Sequence, residues 1–166
     1  MKIDVSYIEG QLPKKYGSDA VEIPGARDFL TALESARANW GVVTSGTHAL
    51  VSGWLDILRL AHPRVLVVAE DVEVGKPDPG CYLLGCSRLG LEQSSSPSIV
   101  VLEDAPSGIK AGKAAGFKVI ALKTTHTLEQ LREAGADWLV EDLRSVSVKG
   151  VEDGGRMQLD IRNAFQ

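Results

Sequence analysis

Five short runs of apolar, mostly β-branched residues recur along this chain, and they constrain its fold more than any other feature. They are WGVVT (40–44), VLVVA (65–69), SIVVLE (98–103), FKVIALK (117–123) and the weaker DWLV (137–140). A strand with one wet face alternates polar and apolar residues. These runs are nearly continuous, which fits parallel strands covered on both faces. Helical spacing fills the intervals. Ala26, Phe29, Leu30 and Leu33 recur after Pro24, which suits a first helical turn because it lacks an N–H. Leu50, Trp54, Leu55 and Leu58 share one side of 47–58, and Tyr82, Leu83 and Leu89 follow Pro79, with Asp78 placed to cap. The small residues of PSGIKAGKAAG, from 106 on, let a helix lie close to a sheet, and a further helix begins at Thr127 and stops at Gly135. Strand and helix patterns in alternation predict an α/β fold: a right-handed, doubly wound, mostly parallel sheet.

The organisation follows from the same pattern. Residues 21–150 form the core domain. Residues 151–166 form a C-terminal hairpin or tail, within a stretch (145–161) that reads as two weak strands around EDGG. EQSSSPS (92–98) reads as a polar surface loop, and Trp40, Trp54 and Trp138 read as core residues. Residues 1–20 differ in character, with an alternating start followed by Gly, Pro and Lys turn chemistry.

Charge and composition exclude several classes of function. The formal net charge is −4, with acids and bases mixed along the chain. A nucleic-acid binder would show a basic face. No apolar run reaches the roughly 18 residues of a membrane span, and the first residues lack a signal core. The two cysteines, Cys81 and Cys86, suit small core positions in a reducing cytoplasm.

In open α/β sheets, ligands sit beyond the carboxyl ends of the strands. The first run delivers Thr44, Ser45, Gly46 and Thr47 there. A hydroxyl before a tight turn and a helix start can bind an anion, although taken alone the stretch reads as a simple helix cap. Lys76 lies between Gly75 and Pro77, and a stiffened turn can aim its ammonium at a phosphate oxygen or a carboxylate; the plain alternative is a solvated lysine. VVLEDAPSG ends its strand with Glu103 and Asp104 side by side. Two adjacent acids need a counter-charge, and a hard divalent cation such as Mg²⁺ supplies one.

Taken together and in this order, VVTSGT, GKPDP and VVLEDAPSGIKAG resemble the second, third and fourth signature motifs of the haloacid dehalogenase superfamily of phosphatases. EIPGA, GKPDPGCYLLG and EDAPSGIKAGKAAGFKVIALKTTH are similar to its glycerol-3-phosphatase and 2-deoxyglucose-6-phosphatase branch. The resemblance covers about residues 7 to 150, and YIEGQLPKKYG resembles the stretch where that branch leaves its cap domain, so residues 1–20 read as a remnant of cap or linker. The resemblance implies a Rossmann-like core and a Mg²⁺-dependent phosphatase of a small sugar or polyol phosphate. Thr44, with the backbone N–H groups of Ser45 and Gly46, would bind the transferring phosphoryl group. Lys76 would hold charge on the nucleophile and the phosphoryl oxygens. Asp104 would be the main ligand of Mg²⁺, with Glu103 as a co-ligand or behind it.

The superfamily's first motif is a strand ending in Asp-x-Asp-Gly, which carries the nucleophile. No such motif occurs in this sequence. The expectation is therefore an N-terminally truncated chain, inactive alone, that lacks the central first strand and most of the cap. That strand belongs between the Thr44 and Glu103 strands. Either those two strands pair directly, or residues 2–7 fill the gap, or another chain supplies the strand, or the chain folds poorly. The alternative function is a pseudophosphatase that binds a phosphorylated metabolite or a partner without turnover.

Overall fold

The structure, a computed structural model, describes residues 4–91, 99–152 and 156–166. All five apolar runs form strands: β1 (Gly41–Val43), β2 (Val65–Val67), β3 (Val100–Glu103), β4 (Lys118–Leu122) and β5 (Trp138–Val140). The helices are α1 (Val5–Tyr16), α2 (Ala26–Ser35), α3 (His48–Leu58), α4 (Gly80–Arg88), α5 (Pro106–Ala114) and α6 (Leu128–Glu133). β6 (Val146–Val151) and β7 (Met157–Ile161) form an antiparallel pair. The predicted loop at 92–98 and most of the EDGG turn lie outside the described residues.

Local chemistry sets the helix ends. Thr47 accepts a hydrogen bond from Leu50 N, and Thr127 and Gln130 close a capping box on α6. Pro106 opens α5, where a missing N–H costs nothing. Pro24 does not do the same for α2, which starts at Ala26 after Gly25. Gly25 has φ 84°, and a Cβ there would lie 2.5 Å from Arg144 N, so only glycine fits.

β4 is the centre of the packing. Val119 and Ala121 face one core with Val101, Ile109 and Leu131. Ile120 and Leu122 face the other, with Phe29, Leu33 and Val146. α5 and α6 cover the first face, while α2 and β6 cover the second, which is the doubly wound arrangement. None of the three tryptophans is fully buried: Trp40 and Trp54 are half-buried, and Trp138, which opens β5 at the sheet's edge, is 38% exposed.

The sheet, however, is divided. β1 pairs in parallel with β2, and β3, β4 and β5 pair in parallel as a second sheet. Among the described residues, β1 and β3 do not pair. Nor do residues 4–7 bridge them: Asp4 caps α1 by accepting from Tyr7 N at 3.0 Å, and the helix follows. The short alternation at the start of the chain yields to the helical spacing of Val5, Ile8 and Leu12. α1 lies on α3 instead, with Pro13 buried where a Cβ on Gly53 would stand 2.9 Å from its ring.

Candidate active site

The ends of β1 and β3 face each other across the divide, and a cleft of about 380 Å³ opens between them. Thr44, Ser45, Lys76, Glu103, Asp104 and Thr124 line it. A larger groove of about 550 Å³ runs between α1 and α3, away from these groups. Three loops separated in sequence thus bring every predicted site residue except Gly46 to the wall of one cleft.

Thr44 leaves the sheet by donating its N–H to Val67 O at 2.9 Å. Its hydroxyl accepts from Gly46 N at 3.1 Å, so the Gly46 amide, expected to face an anion, is turned onto Thr44. The amides that follow are taken by carboxylates of the chain itself. Thr47 N donates to Glu9 at 2.9 Å, and His48 N donates to both oxygens of Glu70 at 3.1 Å. Acids at a helix N-terminus are stabilising there, and these two fill the start of α3.

Lys76 is not a solvated turn residue. Its side chain is 10% exposed, and its ammonium donates to Val43 O at 3.2 Å and to Glu103 Oε1. The same ammonium sits 4.9 Å from the centre of the Tyr82 ring. Glu103 is buried. Its Oε1 also accepts from Tyr82 Oη at 2.5 Å, and its Oε2 accepts from the N–H groups of Asp104 and Ala105 at 3.1 and 3.3 Å. Burial first, and then the Glu103 charge, pushes the Tyr82 hydroxyl well above its ordinary range, so it remains a donor. The carboxylate lies against Gly108, where a Cβ would come within 2.0 Å of Glu103 Cδ. With both oxygens hydrogen-bonded within the chain, Glu103 anchors Lys76, which fits the second of the two places the resemblance allows it, behind Asp104 rather than beside it as a co-ligand.

Asp104 remains at the cleft wall. Its Oδ2 accepts from Thr125 Oγ1 at 2.8 Å and from Thr124 Oγ1 at 3.4 Å, while its Oδ1 takes no hydrogen bond from the described residues. The Thr44, Ser45, Ser107 and Thr124 hydroxyls line the same cleft, with the Lys76 ammonium held by Glu103. This is a hard donor set with one carboxylate, which fits a cation such as Mg²⁺, usually held by one or two carboxylates with water and phosphate completing the shell. No cluster of three or more acidic, His or Cys ligands exists among the described residues. Cys81 and Cys86 are buried free thiols, as their sequence context suggests.

From sequence, Thr125 and His126 follow a strand end and read either as edge residues of the site or, more plainly, as loop residues, while Tyr82 and Thr124 carry no site role in the sequence reading. The signal for the threonines lies in their position, directly beyond β4, on the same edge of the sheet as Asp104. Tyr82 carries no such signal, since its contact with Glu103 spans 21 residues.

Known proteins resemble this chain in sequence and fold. Residues 10–122 match the family model described as haloacid dehalogenase-like hydrolase. Glycerol-1-phosphate phosphohydrolase 1 of Saccharomyces cerevisiae is 44% identical over 149 residues, covering 87% of this chain and 60% of its own length. 2-deoxyglucose-6-phosphate phosphatase 2 of the same yeast is 34% identical over 168 residues, covering 92% of this chain and 68% of its own length. A hydrolase from Pseudomonas syringae superimposes with a TM-score of 0.71 at 25% identity, over 81% of this chain and 61% of that one. The chain therefore spans about 60% of the length of the yeast glycerol-1-phosphate enzyme. Sequence, strand order and the groups gathered at the strand ends converge on one assignment: the chain belongs to the haloacid dehalogenase-like hydrolase family.

Proposed function

We propose that this chain forms the phosphate- and cation-binding part of a cytoplasmic phosphatase acting on a small sugar or polyol phosphate. The observation that carries this reading is the convergence of Thr44, Lys76 and Asp104 on one cleft. The similarity to enzymes named for glycerol-1-phosphate and 2-deoxyglucose-6-phosphate supports the substrate class. In this reading Thr44 and the Ser45 N–H bind the phosphoryl group, and the Lys76 ammonium neutralises it. Asp104 holds Mg²⁺, which supplies charge stabilisation of the transferring group when bound. The nucleophile is supplied by a parallel strand between β1 and β3, ending in Asp-x-Asp-Gly and carried outside this sequence. The chain by itself is then inactive.

The test is reconstitution. The chain is assayed with Mg²⁺ and a panel of polyol and hexose phosphates, alone and co-expressed with a segment carrying such a strand. Phosphate release is expected only from the reconstituted pair, and Asp104→Asn should reduce it by at least about a hundredfold. Phosphate binding without release by the reconstituted pair would sink the enzyme reading and favour a binding protein.

A further inference from the structure

The turn that follows β4 holds Asp104 through side chains to which the proposed function gives no role. We propose that Thr125, backed by His126, is a positioning residue that aims the Asp104 carboxylate at its cation.

The assignment follows from counting protons. A carbonyl oxygen only accepts, so the 3.1 Å contact between His126 Nδ1 and Asp104 O places a proton on Nδ1. That nitrogen also lies 2.9 Å from Thr125 Oγ1. The Thr125 hydroxyl has a single proton to give. Its shorter contact is with Asp104 Oδ2 at 2.8 Å, against 3.2 Å to Asp104 O. The single Nδ1 proton is shared between Asp104 O and Thr125 Oγ1, the Thr125 hydroxyl proton goes to Asp104 Oδ2, and Thr124 Oγ1 adds a longer contact on the same oxygen. Both hydroxyl contacts to the carboxylate fall on Oδ2. Among the described residues none reaches Oδ1, and this asymmetry carries the inference. Two hydroxyls on one oxygen fix the rotation of the carboxylate and leave the other oxygen for an incoming ligand. An unsupported aspartate at a loop mouth would lose rotamer freedom on binding a cation, and the threonines remove that loss beforehand.

This proposal rests on the reading of Asp104 as the cation ligand. The test is a Mg²⁺ titration of the full chain, followed by the amide resonances of Asp104 and Ser107, with no turnover required. The wild-type chain is expected to show a saturable shift at Asp104 that Asp104→Asn abolishes. Thr125→Val should raise the Mg²⁺ midpoint about tenfold, and Thr125→Ser should restore it to within about twofold. Thr125 is exposed, so these variants should fold; Thr125→Ala replaces Thr125→Val if the larger side chain perturbs the spectrum. If Thr125→Val binds like wild type, or if Thr125→Ser is as weak as Thr125→Val, the positioning role is overturned while Asp104 keeps its place. If the wild-type chain shows no saturable shift, or Asp104→Asn binds equally well, the cation reading itself fails, and this proposal with it.

Discussion

β1 and β4 come from apolar runs of the same kind, yet only β4 is sealed. Val119, Ile120 and Ala121 have no exposure, whereas no residue of β1 is fully buried, and the same holds for α3 beside it. β1 is Gly-Val-Val and β4 is Lys-Val-Ile-Ala-Leu, both mainly apolar, so apolar character does not separate them. Their neighbours do. β4 has a paired strand on each side and a packed layer on each face. β1 has β2 on one side and the divide on the other. Burial is thus a property of what surrounds a strand, and a run that reads as doubly covered can stand half exposed when its neighbour is not there.

The comparison can be broken most directly in the two cores. Ile120→Ala should cost about 4 kcal/mol, because a fully buried side chain leaves a cavity between two packed layers. Val42→Ala, removing half-exposed methyl groups, should cost only about 1 kcal/mol. Urea denaturation of the two variants measures the difference, and equal losses would mean that both half-sheets are packed alike.

A smaller effect sharpens the comparison at the divide. Lys76→Met leaves the buried Glu103 carboxylate without its cation and should cost about 3 kcal/mol. The ammonium also holds Val43 O, so amide exchange should speed up in β1 as well as near Glu103. Faster exchange confined to one side would show that Lys76 does not tie the two halves together.

The smallest effect concerns acid. Burial acts to raise the Asp137 carboxyl, but Lys113, Lys118 and the Val119 N–H overcome it and hold the group at about 2, below its ordinary 3.8. A depressed carboxyl stabilises the fold above its unfolded value, and this contribution is lost as pH falls through the folded one. The stability gap between wild type and Asp137→Asn should therefore be constant at neutral pH and close between about pH 4 and about pH 2. Asp71, held at about 2 first by its hydrogen bond to Arg88, is the counterpart beside β2, and Asp71→Asn should behave the same way. A gap that persists at pH 2 in either pair would remove that carboxylate from the account.

Much of the fold was legible because it is written locally. Each strand declares itself within four to seven residues, and Thr47, Thr127 and Pro106 mark helix starts by chemistry that acts over one turn. The strand ends were legible for the same reason, and with them Thr44, Lys76 and Asp104. What escaped depends on long-range placement. Glu103 reads from sequence as a co-ligand or as a residue behind Asp104, and only the approach of Lys76 and Tyr82 from α4 and the loop before it separates the two. The helix at 5–16 was hidden by a short alternation that a strand and a helix can share. Thr125 leaves the strand next to that of Asp104, and its contact across 21 residues decides between a place at the site and a place in the loop.

Lys76 has one further consequence. An ammonium that bridges the ends of two half-sheets supports the fold whether or not any phosphate ester is ever cleaved. A survey of variants would find it intolerant to change in an active enzyme and in an inactive binding protein alike. The Thr44 hydroxyl accepts from Gly46 N and the Asp104 carboxylate is held by the turn after β4, so neither group ties the two half-sheets together and tolerance at those two positions, rather than at Lys76, is what reports on chemistry.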